Sequence, residues 1–90
     1  MFRFRRSVPV SYDRQGLIYF YSRLYRSLPE KKQARIRRLC QEAGGEYAEA
    51  LFDFVVGNLN APAVCGKYFL SQSTLDRVVR KYYMMFPKNL

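Results

Sequence analysis

Between Phe69 and Phe86 the apolar residues Leu75, Val78, Val79, Tyr82 and Phe86 recur at the spacing of one helical face, and Gln72, Ser73, Asp76, Arg77, Arg80 and Lys81 fall between them. Ser71 stands directly before this run, where a Ser hydroxyl accepts from a free N–H of the first turn. The pattern predicts a helix from Gln72 to about Phe86. Isolated helices of about 15 residues are marginal in water, so the apolar stripe has to be laid on other elements supplied by the chain upstream.

Upstream, the punctuation is helical. Ala61 to Tyr68 predicts a short helix, parted from the C-terminal one by a tight turn at Phe69 to Ser71. "EYAEALFDFVV" predicts another, with Glu46, Glu49 and Asp53 near its positive N-terminal end, Tyr47, Leu51, Phe54 and Val55 on its buried face, and Gly57-Asn58 ending it. Before it, Ile36, Leu39, Cys40 and Ala43 form the stripe of a helix whose outer face is Lys31, Lys32, Arg35, Arg37 and Arg38. Gly44-Gly45, tolerant of a left-handed cap, ends that helix. Ser27-Leu28-Pro29-Glu30 reads as the capping box that starts it, with Ser27 as N-cap and Pro29 in the first turn.

The first helix, opening at Ser11 or Asp13, repeats Leu17, Phe20 or Tyr21, Leu24 and Leu28 at helical spacing, although Ile18 to Tyr21 suits a strand equally well. "MFRFRRSVPV" alternates aromatic and Arg for only four residues before Pro9 removes a ladder donor, so residues 1–10 are expected to form a basic arm rather than a strand. The expected fold is one all-α domain of four to five helices: an arm over 1–10, a helical support over 11–58 and a two-helix unit over 61–86.

Ninety residues suffice for one domain, and a hydrophobic share of 49 % with 17 % aromatics supplies a core and argues against disorder. The net charge of +9 points to a polyanionic partner, and its distribution is uneven. Residues 1–38 hold eleven Lys or Arg against two acids; residues 39–66 hold none against four; residues 67–90 hold five against one. The alternative reading of such runs is a solvated, solubilising surface.

Cys40 and Cys65 form no CxxC pattern and no His accompanies them, which removes a zinc site and leaves two buried thiols of a reduced, cytoplasmic protein. No cofactor is implied. Without His as a base, a Gly-rich phosphate loop or paired carboxylates, catalysis is not expected. The N-terminus lacks the apolar stretch of an export signal, and "GLIYFY" is far too short to span a bilayer.

"AVCGKYFLSQSTLDRVVR" resembles the helix-turn-helix of lac-repressor-type regulators, and "QSTLDR" is similar to the DNA-invertase and resolvase family. The likeness rests on Val64, on small Cys65 where the helices cross, on Leu70 and Leu75, on Ser71 as N-cap, and on Val78 and Val79. It departs at Phe69, where the family usually has Gly.

The resemblance implies double-stranded DNA as partner, with Gln72, Ser73 and Arg77 facing bases and Ser71, Thr74, Arg80 and Lys81 on phosphates. Arg3, Arg5 and Arg6 are expected in the adjacent minor groove or along the backbone. A homodimer on a two-fold site would extend a short half-site to useful specificity. The competing expectation is a small basic interaction protein, such as a phage or mobile-element inhibitor or adaptor. It would bind a protein partner through surfaces such as Tyr83 and Met84 in "KYYMMF".

Overall fold

In the computed structural model, which describes residues 2–88, five α-helices follow one another: α1 Tyr12–Arg23, α2 Glu30–Gly44, α3 Ala48–Val55, α4 Ala61–Tyr68 and α5 Gln72–Met85. Single 3-10 turns at Tyr25–Ser27 and Gly45–Tyr47 lead into α2 and α3, and the described residues contain no strand. The domain is all-α, and none of its described helices is long and apolar enough to cross a membrane.

α2 is the central strut, packing on both α3 and α5, while α3, α4 and α5 pack on one another. Its C-terminal residues Ala43 and Gly44 lie beside Arg77 and Val78, and Cys40 lies by Tyr82, so α2 and α5 run antiparallel. The core they share includes Ile36, Leu51, Val64, Leu75, Val79 and Tyr82, all essentially without solvent contact. Burial pushes the Cys40 thiol up to about 12, in keeping with a thiol that serves as a small hydrophobe.

The helix ends follow local chemistry. Ser11, Asn60 and Ser71 cap α1, α4 and α5 with side-chain oxygens that accept from the N–H groups of Arg14, Ala63 and Thr74. Gly45 closes α2 with φ 57°, a conformation open to Gly at little cost. The expected capping box is not formed. Pro29, not Ser27, is the N-cap of α2, because Ser27 is taken up in the 3-10 turn and Leu28 follows it in extended backbone.

The first helix presents a different face from the one its apolar period indicated. Leu17, Phe20 and Leu24 point outward, 48, 57 and 55 % exposed, while Gln15, Ile18 and Ser22 are buried. Two polar side chains lie in the buried stripe because the interior offers them partners. Ser22 Oγ donates to the Ile18 carbonyl and sits 2.7 Å from the Tyr82 hydroxyl. Gln15 accepts from Arg5 N at 2.8 Å and donates to the carbonyls of Arg5 and Val10, each at 3.0 Å.

Those bonds, with Val8 buried beside them, fasten residues 5–10 to the body. The N-terminal segment is irregular, as an arm would be, yet it is docked. It also accounts for Tyr83, which was expected outside and is buried. Arg5, Arg23, Phe54 and Tyr19 close over it, and only Met84 of the pair stays exposed.

Candidate nucleic-acid interface

α4 ends in a left-handed residue, and that residue is Phe69, at φ 55° and ψ 48°. The N–H groups of Phe69 and Leu70 both reach back to the Cys65 carbonyl, which closes the helix and turns the chain within two residues into the Ser71 cap. Ser71 Oγ accepts from Thr74 N at 3.1 Å and donates to Thr74 Oγ1 at 3.0 Å. Val64 on α4 and Leu75 on α5 are wholly buried beneath this corner, with Cys65 and Leu70 packed against the core beside them.

Phe69 is 95 % exposed, so no burial compensates the steric cost of holding a side chain in that backbone region. Phe69→Gly is therefore expected to raise stability by up to about 1 kcal/mol in a thermal melt. A destabilised variant would contradict the left-handed turn.

Along α5 the core residues face inward, and Ser73, Arg77, Arg80 and Met84 recur at i, i+4, i+7 and i+11 on the opposite ridge, all exposed. Gln72 and Asp76 lie on one shoulder of that ridge, where Gln72 Nε2 donates to Asp76 Oδ1 at 2.9 Å. Asp76 also meets Arg5, whose Nη1 is 3.4 Å away and whose guanidinium lies 5.6 Å from the Phe54 ring centre. Arg80 Nε donates to the Ser7 carbonyl at 3.0 Å. The N-terminal segment thus runs beside α5, with Arg3 and Arg6 exposed and Arg5 partly enclosed.

Lys81 occupies the other shoulder, toward α2. There the structure brings together residues that the sequence left apart. Lys31, Arg35, Arg38 and Glu42 recur at i, i+4, i+7 and i+11 on one flank of α2, and Glu42 lines a groove with Arg77 and Lys81. The cationic spacing on α2 is readable in the sequence, but its neighbour is not.

Arg37, grouped with these cations by its position in the chain, belongs to the opposite flank. It donates to the Tyr25 hydroxyl at 2.6 Å and to Glu30 at 2.8 Å. Lys32 lies half-buried, 6.0 Å from the centre of the Tyr21 ring.

Beneath α4, Asp53 ties the support to the two-helix unit. It accepts from Tyr68 and Asn58, with Lys67 Nζ 3.5 Å away. Burial alone would raise this carboxyl, but the hydrogen bonds from Asn58 and Tyr68 and the charge of Lys67 outweigh it and hold the pKa below the usual carboxylate value.

Among the described residues no group of His, Cys, Asp and Glu is placed to hold a metal ion. The fold and this surface define a small all-helical domain whose outer helix is rich in hydrogen-bonding and cationic side chains. No protein-family model matches the chain, and neither a curated protein nor a solved structure matches it.

Proposed function

We propose that this protein binds double-stranded DNA by inserting α5 into the major groove, as a transcriptional regulator or an accessory protein of a mobile element, acting in the cytoplasm without a cofactor. The observation that carries this reading is the corner itself. A short helix, a left-handed residue and a Ser-capped second helix hold Ser73, Arg77 and Arg80 outward on one ridge. The mobile-element assignment draws on the resemblance of Gln72 to Arg77 to the invertase and resolvase family.

Within this reading Ser73 and Arg77 face base edges, and Gln72 joins them by exchanging its Asp76 bond for a base. Ser71, Thr74, Arg80 and Lys81 contact phosphates. Arg3 and Arg6 are the arm residues suited to a groove or backbone contact. Arg5, engaged with Asp76 and Phe54, clasps the arm to α5 before any contact with DNA.

The test is a salt titration of two duplexes, one enriched by selection from a random pool and one scrambled. Arg77→Ala is expected to lose roughly 1 to 3 kcal/mol on the enriched duplex and almost nothing on the scrambled one, because only the specific complex contains a base contact. Lys81→Ala is expected to weaken both about equally and to lower the slope of log affinity against log salt by about 0.9. Equal losses on both duplexes for Arg77→Ala would reduce α5 to a polyanion holder. Failure to enrich any duplex would favour a small interaction protein with a protein partner.

A further inference from the structure

We propose that the cleft between the N-terminal segment, α1 and the α3–α4 connection binds a nucleoside monophosphate, with the phosphate on Arg3, Arg5 and Arg23 and the base against the aromatic wall beside them. The cleft has a volume of about 430 Å³, within the range of roughly 300 to 1,000 Å³ for small-molecule sites. Arg3, Arg5 and Arg23 line it together with Tyr19, Phe54 and Tyr83, and no acidic residue does.

Two of the three cations are held in place by the fold. The Arg23 guanidinium lies 4.7 Å from the centre of the Tyr19 ring, and its Cδ comes to 2.8 Å from where a Cβ on Gly57 would stand. Arg5 rests on the Phe54 ring, and its contact with Asp76, 3.4 Å long, engages only Nη1, leaving Nη2 and Nε for a second acceptor. Neither Arg3 nor Arg23 meets a carboxylate among the described residues. Forked guanidinium donors match the oxygens of a terminal phosphate, and donors ordered before binding lose little freedom in it.

Tyr83 points to the same ligand by another route. Its side chain is 7 % exposed, and its hydroxyl has no hydrogen-bond partner among the described residues, yet it is not sealed off as the Tyr21 hydroxyl is. Burial pushes the Tyr83 phenol up while the charges of Arg5 and Arg23 pull it down, so both guanidiniums lie close to it. An enclosed donor without an acceptor is costly, and a phosphate oxygen held by those guanidiniums supplies one.

The ring of the ligand is selected by the wall and by Asn60. Bases stack on aromatic rings and on guanidinium planes alike, and Tyr19 and Phe54 offer both. Asn60, also in the lining, caps α4 by accepting from Ala63 N at 3.0 Å through Oδ1, and its Nδ2 has no partner among the described residues. That amide donates to a ring nitrogen or carbonyl of a heterocyclic base. A phenyl ring has no such acceptor.

The site is apart from the α5 ridge, and its test uses the full chain without DNA. In isothermal titration calorimetry, adenosine monophosphate is expected to bind saturably with a sub-millimolar Kd. Adenosine, ribose phosphate and phenyl phosphate should each bind at least about tenfold more weakly. Tyr83→Phe keeps the packed ring, so it should melt as the parent does and bind adenosine monophosphate roughly three- to tenfold more weakly. Arg23→Gln should lose roughly tenfold or more, and Arg77→Ala should bind as the parent does.

Four outcomes would overturn the proposal. The parent shows no saturable binding of adenosine monophosphate up to about 10 mM. Folded Tyr83→Phe and Arg23→Gln both bind it as the parent does. Phenyl phosphate or ribose phosphate binds as tightly, which reduces the cleft to a site for phosphorylated phenyl rings or for bare anions. Arg77→Ala abolishes binding, which moves the ligand to the α5 ridge.

Discussion

Leu75→Ala is expected to lower the stability of this protein by about 2 to 5 kcal/mol, the range for emptying a fully buried Leu site. Leu75 has no solvent exposure and is the first core residue of α5, lodged at the corner where Val64 of α4 meets the support. Leu75 belongs to the same close-packed core cluster as Val64, Val78 and Val79, and a void left in such a core is only partly filled by relaxation of its neighbours.

A small domain has about 5 to 10 kcal/mol in total, and each kcal/mol moves the melting temperature of a chain this size by roughly 4 to 8 °C. A fall of at least about 8 °C is the expected measurement. A variant that melts within a degree or two of the parent would mean that α5 turns a different face to the core.

Gln15→Ala should cost about 2 to 4 kcal/mol for a different reason. The amide fills no apolar gap; it closes the backbone account of a segment that has no secondary structure of its own. Arg5 N–H and the carbonyls of Arg5 and Val10 lose their partners together, and each buried polar group left unpaired costs about 1 to 3 kcal/mol unless water reaches it. Release of the segment lets water in, which limits the loss and converts it into mobility.

The expected signature is faster amide exchange at Arg5 and Val10 and tryptic cleavage after Arg5 and Arg6, alongside the lower melt. Gln15→Glu should fare no better, since a carboxylate cannot donate to three carbonyls. Unchanged exchange at Arg5 in Gln15→Ala would show that Val8 alone holds the segment down.

The two halves of the chain differ in how legible they are. In α5 every apolar residue of the predicted stripe is buried and Gln72, Ser73, Asp76, Arg77, Arg80 and Lys81 are exposed, because the helix lies on a broad apolar bed and its amphipathicity is the whole of its packing instruction. The bounds of α4, the Ser71 cap and the strained position at Phe69 follow from chemistry within four or five residues. In α1 the same periodic argument selects the wrong face. Its buried residues include Gln15 and Ser22, whose partners are Tyr82, 60 positions from Ser22, and the backbone of residues 5–10. A hydrophobic count cannot see a polar residue that is buried because its hydrogen bonds are satisfied.

The candidate interface divides in the same way. Ser73, Arg77 and Arg80 lie on one ridge by helical geometry alone, and so do Lys31, Arg35 and Arg38 on one flank of α2 with Arg37 on the other, whereas the partners of Arg37, Tyr25 and Glu30, and the Glu42 groove beside Lys81 are set by the folded chain.

By itself, then, the sequence determined an all-helical domain, the C-terminal end of α2 at Gly44-Gly45, the bounds of α4, the Ser71 cap and the polar ridge of α5, since each of these is set by interactions within a turn or two of chain. The tertiary structure alone decided which side of α1 is inside, that the N-terminal segment is docked and Arg5 paired with Asp76, and that Glu42 of α2 lines a groove with Arg77 and Lys81. Each of these depends on which distant group meets a polar side chain, and only the folded chain brings those groups together.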